Sequence, residues 1–249
     1  MLSEDIPASL LPLLEKLPSI DLRPFRKQMG LAHDRIELLA DVVSLKKELY
    51  YYIFLDINLF CLKMVFPDEY RAAGVSGHPG SSSDLFEYDP VKNGQNIIKH
   101  GICFSEAATL SNNFGALMVP CPDESDGERV VIFSDLMLGN KRELSLPPTG
   151  MDLTIKMCTL SVAQNRNNRF RFISSRILNC HNYRKQMAQS FRGIYENAPK
   201  DKEGFMGRCS EIIEGCLFGD MSHPARLTPI RIVRPAPKAT PDPEQPPAF

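Results

Sequence analysis

The spacing of apolar residues divides the chain into a helical first part and a strand-rich middle. From Leu31 to about Phe66, the positions Ile36, Leu38, Leu39, Val42, Val43, Leu45 and Leu49 recur at intervals of three and four. That period predicts a long helix, continuous or broken, which Pro67 stops. Leu49 to Phe66 is almost continuously apolar, interrupted by Asp56, Asn58 and Lys63. A charge near a bilayer centre costs about 2.5–3.5 kcal/mol on insertion. The stretch therefore predicts a buried helix or strand and no transmembrane span. Before it, Ser3, Glu4 and Asp5 ahead of an apolar run predict a capped helix start, limited by Pro12.

Residues 74–96 are rich in Gly, Ser, Pro and Asn, which predicts a loop and a subdomain boundary. Beyond them the period shortens. Arg129–Leu138 opens with a β-branched and aromatic run ended by Gly139-Asn140, as a buried strand does. Leu153–Val162 alternates Leu153, Ile155 and Met157 against Thr154, Lys156 and Cys158, a half-buried strand pattern. Phe170–Ile173 predicts a third strand, with 174–192 open to a helical continuation. Ser210–Phe218 predicts a short helix. From Pro224 onward, prolines at 229, 235, 237, 241, 243, 246 and 247 predict an extended, polyproline-like or disordered tail. The expected fold class is α+β. A helical region (1–75) precedes a mixed domain with an antiparallel sheet (76–225) and a Pro-rich tail (226–249).

Composition narrows the class. The chain has 249 residues and a net charge of −1, with ordinary hydrophobic (43%) and charged (24%) fractions, enough for a real core in one large or two small domains. The seven cysteines are scattered and never form a C-x-x-C pair, which argues against a disulfide framework and fits a reducing compartment. Acids follow Met1 where a secretory signal needs basic residues, so a cytoplasmic or nuclear rather than secreted protein is expected.

The near-neutral total hides a partition. Residues 84–152 carry eleven acids against five bases, whereas 153–195 carry no acid and eight bases: Lys156, Arg166, Arg169, Arg171, Arg176, Arg184, Lys185 and Arg192. Such a segment makes a local positive field. In Arg169-Phe170-Arg171-Phe172, a strand would turn both arginines to one face and both phenylalanines to the other. Arginines on an exposed face can hold phosphates, and an aromatic beside them can stack on a base. The competing possibility is that the acidic and basic segments pair with each other while the phenylalanines enter the core.

These residues point to a non-enzymatic binding or structural protein whose basic segment 156–192 contacts nucleic acid, an acidic protein surface or a peripheral anionic membrane. A scaffold within a larger host or viral assembly fits, and homo-oligomerisation stays open. No metal site is expected, because the five histidines and the cysteines lack ligand spacing. The G-x-S-x-G, Walker-type and G-x-G-x-x-G loops are missing from the sequence as well.

One segment carries a family resemblance. Gly101-Ile-Cys-Phe-Ser-Glu-Ala-Ala-Thr-Leu-Ser-Asn-Asn-Phe114, followed by the run Val130–Leu144, resembles the nicotinamide-pocket region of the poly(ADP-ribose) polymerase type of ADP-ribosyltransferase. The resemblance implies NAD as cofactor, with Phe104 as the motif phenylalanine, Ser111 bonding the nicotinamide amide and Phe114 stacking on its ring. Cys103 stands where that family has tyrosine. The family's His-Gly has no match on an early strand, since His78-Pro79-Gly80 falls in the expected loop. No glutamate falls on a late strand, which weighs against polymer synthesis. The function expected under this resemblance is a divergent ADP-ribosyltransferase-like domain.

Overall fold

The computed structural model describes residues 5–84, 86–113, 116–120, 129–136, 146, 157–166, 169–179, 182 and 186. The fold is α+β, with helices first and a five-stranded sheet after them. The helices are α1 (Leu11–Lys16), α2 (Arg26–Met29), α3 (His33–Val43), α4 (Tyr51–Val65) and α5 (Pro67–Ala72). Then come β1 (Phe86–Tyr88), α6 (Pro90–His100) and α7 (Phe104–Asn113). The remaining strands are β2 (Ala116–Pro120), β3 (Arg129–Leu136), β4 (Met157–Arg166) and β5 (Arg169–Asn179).

Pro12 does not limit the first helix; it sits in the opening turn of α1. A first-turn proline loses no helical hydrogen bond, because its missing N–H would have been an orphan there anyway. The long helix expected over 31–66 is broken into α3 and α4. At the break Leu45 adopts a left-handed conformation (φ 58°) and is largely exposed, while the Lys46 N–H closes back on the Asp41 carbonyl at 2.9 Å. α4 is buried continuously from Leu55 to Leu62, so it is the central helix of the helical layer. At 15 residues it is about 22 Å long. Among the described residues no helix is long and apolar enough to cross a membrane.

The expected loop 74–96 contains, besides a short 3-10 turn at Pro79–Ser81, two elements that its polar composition conceals. β1 lies within it, and α6 begins within it at Asp89-Pro90. The Asp89 carboxylate accepts from the N–H groups of Val91 (2.9 Å) and Lys92 (3.2 Å), and Pro90 follows as a pre-shaped first residue. Val91, Ile97 and Ile98 of α6 join the core of α3 and α4, as does Leu146. Next to it, Ile102 and Phe104 enter a second core beneath the sheet with Tyr88, Ala107, Ile132, Ala163, Phe172 and Ile177. α7 starts with a capping box in which Cys103 takes the usual serine role. The Cys103 N–H donates to Glu106 Oε2 at 3.1 Å, and the Glu106 N–H points back to Cys103 Sγ at 3.4 Å.

The strand order is β1-β5-β4-β3-β2. β2 through β5 pair antiparallel, and the short β1 adds to β5 in parallel. β4 runs four residues past its expected end at Val162, and β5 extends to Asn179. A bulge at Val162/Ala163 shifts the β4–β5 register, which pairs Ala163 with Phe172 but Val162 with Ser174. The extra residue, Ile173, changes which parity faces inward. Phe172 is buried before it, and Ser175 and Ile177 are buried after it.

Candidate polyanion-binding face

The bulge decides the composition of the outer face of β5. In an unbroken strand Arg176 would stand opposite Arg169 and Arg171. With the inward parity changed, all three share the outer face, while Phe170 and Phe172 pack inward. Phe172 lies against Phe104 and Phe86 at centroid distances of 5.9 and 6.3 Å. The two phenylalanines are therefore core side chains and take no part in a stacking surface.

The register builds a denser cluster at the hairpin end. Arg166 is the direct cross-strand partner of Arg169. One rung inward, Arg129 pairs with Gln164, Gln164 with Arg171, and Arg171 with Glu87 of β1. Cross-strand partners share a face. Residues two apart stand about 6.8 Å along the strand, and neighbouring strands lie about 4.8 Å apart. Arg129, Arg166, Arg169 and Arg171 therefore occupy two adjacent rungs of three strands. The first three are exposed and Arg171 is half-buried. Arg166 Nε donates to Gln164 Oε1 at 3.0 Å, which ties the two rungs together. Opposed like charges oppose sheet pairing by up to about 1 kcal/mol, so the Arg166–Arg169 pair does not serve stability. Glu87 is the acid in register with this cluster.

Of the other residues in the basic segment, Arg176 is half-buried and donates to Gln186 Oε1 at 3.1 Å. Lys156, Arg184, Lys185 and Arg192 lie outside the described residues. So do the acids Asp123–Glu128 that could have paired with the segment, and the tail 226–249. Arg129 escapes a reading by segment because it follows the acidic run. Only hydrogen-bond register carries it to Arg171.

Phe104 is wholly buried, edge-on to Tyr88 at 5.7 Å. Ser111 falls in the last turn of α7, and its side chain, like all of Phe114, is outside the described residues. His78 sits in a buried polar network. Its Nδ1 accepts from the Gly80 N–H at 3.1 Å, so its Nε2 carries the proton and donates to Asp56 Oδ1 at 2.6 Å. Asp56 Oδ2 accepts from Asn93 Nδ2 at 2.6 Å, and Asn93 Oδ1 accepts from the Phe104 N–H at 2.7 Å. Burial is the main influence on Asp56 and raises its pKa; the bonds from His78 and Asn93 oppose that rise. Both ring nitrogens of His78 are engaged, so the dyad clasps α4, the 78–80 turn, α6 and α7 together and has no free nitrogen for proton transfer. Burial pushes the Cys103 thiol up to about 12, which keeps it protonated and unreactive. Among the described residues no group of three or more His, Cys, Asp or Glu could hold a metal ion.

His100, the last residue of α6, is pushed down to about 4 from 6.5 by burial and by the charges of Lys99, Arg176 and Arg35. Above pH 6.5 it is neutral in both folded and unfolded chains and contributes nothing. As pH falls from 6.5 toward 4 the unfolded chain takes up this proton first, so the folded state loses stability. His100→Asn should flatten the fall in urea midpoint between pH 6.5 and 4.5. An unchanged fall would assign the acid sensitivity to other groups.

The class defined by this fold and site is an α+β protein with an arginine-bearing antiparallel hairpin. No family model, curated protein or solved structure matches the chain.

Proposed function

We propose that the protein is a non-enzymatic binding protein that holds a nucleic-acid backbone on the outer face of the β3–β4–β5 sheet. The supporting observation is the register that gathers Arg129, Arg166, Arg169 and Arg171 on two adjacent rungs. Guanidinium forks suit phosphate oxygens because two N–H groups can donate in parallel. The large exposed apolar residue on this face among the described residues is Ile173, which is little for a lipid surface to take up. With Phe170 and Phe172 in the core, recognition would rest on phosphates and so be tolerant of sequence.

The test is R169E/R171E against the parent, using a duplex and a single strand of equal length across a salt series. Phosphate contacts release counterions, so parent affinity should fall linearly on a log–log plot, by about 0.9 per phosphate neutralised on duplex DNA. The double variant should bind at least about tenfold more weakly, since each charged contact contributes about 1.5–3 kcal/mol. Its salt slope should be shallower by about 2. Parallel arms carry anionic vesicles, an acidic polypeptide and NAD. Vesicle or polypeptide binding without oligonucleotide binding would overturn the assignment. A rise in melting temperature with NAD alone would favour the ADP-ribosyltransferase-like reading through Phe104, Ser111 and Phe114.

A further inference from the structure

The outer face of the sheet closes off step by step away from the hairpin end. Arg129, Arg166 and Arg169 are exposed there, and Gln164 and Arg171 are half-buried. On the next rung Val131 pairs with Val162, and Val162 with Ser174; beyond it Phe133 pairs with Leu160, and Leu160 with Arg176. Val131 and Leu160 are 5% exposed and Phe133 is 1% exposed. Ile132 and Ala163, which point the other way, share a core with Phe104 and Ala107 of α7, so that helix lies under the opposite face. Another part of the chain must therefore keep water from Val131, Phe133 and Leu160.

The chain just after β5 is placed to do so. Asn182 and Gln186 are helical, and Arg176 Nη2 donates to Gln186 Oε1 at 3.1 Å. Arg176 stands on the outer face and precedes Asn179, the last residue of β5, so by Gln186 the backbone has turned back over that face. Tyr183, Met187, Phe191 and Ile194 recur at intervals of four, four and three. At about 100° per residue in a helix they would share about 80° of arc, with Gln186 on its flank.

We propose that the apolar half of the outer face is the seat of the chain's own segment 182–194, an amphipathic helix that lays Met187, Phe191 and Ile194 on Val131, Phe133 and Leu160. Running back along β5 from Gln186 to Ile194, it advances about 12 Å, and successive rungs of one face stand about 6.8 Å apart. It therefore covers the Phe133 and Val131 rungs and stops short of the arginines. Lys185 and Gln189 turn to the side away from the sheet. The seat closes this half of the face to an outside partner and leaves the arginine rungs open at its end. It holds whether or not those arginines bind phosphate.

The test uses the full chain with labelled methyl groups. The Phe191 ring protons should give nuclear Overhauser cross-peaks to the methyl groups of Leu160 and Val131. F191A should lower the melting temperature by about 6 °C or more, as an emptied apolar contact does in a chain of this size. Q189A, on the outward side, should leave it within about 2 °C. L160A and F191A together should lower it by less than the sum of their separate losses, because both remove one shared contact. If either alanine variant fails to fold, F191L with L160V makes the same comparison. Absence of the cross-peaks, or losses that simply add, would overturn the proposal and assign the cover to another segment.

Discussion

Replacing Gly94 by alanine should destabilise the protein more than any other single-methyl change in the helical layer, by about 3 kcal/mol or more. A Cβ at Gly94 would stand 2.1 Å from the Asp56 carbonyl oxygen, 2.5 Å from its carbon and 2.9 Å from the Ile57 nitrogen. All three atoms are backbone of α4, so no rotamer change can relieve the overlap, and α6 must move off α4 as a body. That movement would loosen Val91, Ile97 and Ile98 in the helical core and stretch the bond from Asn93 to the Asp56 carboxylate. Alanine favours a helix interior over glycine by about 1 kcal/mol, so propensity alone would stabilise. The sign of the change therefore separates the two effects. Urea unfolding of G94A gives the answer, and an unchanged or raised midpoint would show that the helices do not approach this closely.

Asp56→Ala should cost about 2–6 kcal/mol, because two buried donors lose their shared acceptor. Asp56 is inaccessible to solvent and receives a hydrogen bond on each carboxylate oxygen. Its removal leaves the His78 Nε2–H and the Asn93 amide without acceptors in a buried site, at about 1–3 kcal/mol each. Asp56→Asn keeps the shape and one acceptor, so it should lose about half as much. The pH dependence has a definite sign. Burial raises the folded-state pKa of Asp56, so its contribution is most favourable below the ordinary carboxylate range and declines as pH rises through the raised value. D56N should remove that decline. Chemical denaturation of the three proteins at pH 5 and pH 8 measures both effects. Equal stability of D56A and the parent would show that the network does not hold the layers together.

Local pattern determined the broad class and several elements. The three-four spacing of Ile36, Leu39, Val42 and Val43 sufficed for α3, because a helix on a core must present one apolar stripe whatever it packs against. The run Val130–Phe133 sufficed for a buried strand. Arg169-Phe170-Arg171-Phe172 sufficed to separate arginines from phenylalanines, since side chains alternate in any strand. The start of α6 at Asp89-Pro90 fell inside the expected loop, because the polar residues 92–96 hide its apolar face. Asn93, Gly94 and Asn96 are inward-facing for reasons that lie on other elements: the Asp56 carboxylate, the α4 backbone and the Ser175 N–H.

The rest depended on pairing between distant segments, which a period of two or 3.6 cannot encode. Asp56 looked like an interruption of an apolar stretch until His78 and Asn93 came to it from 22 and 37 positions away. The basic segment was visible as composition, but a count of charges cannot say which of them meet. Hydrogen-bond register brought Arg129 across two strands to Arg171. A single bulge residue turned Arg176 to the arginine face, and Asn96 of α6 took the Ser175 N–H next to it. A strand's alternation is a local property of its backbone. Register and bulges are chosen by the neighbouring strand, and so the candidate site was decided only in three dimensions.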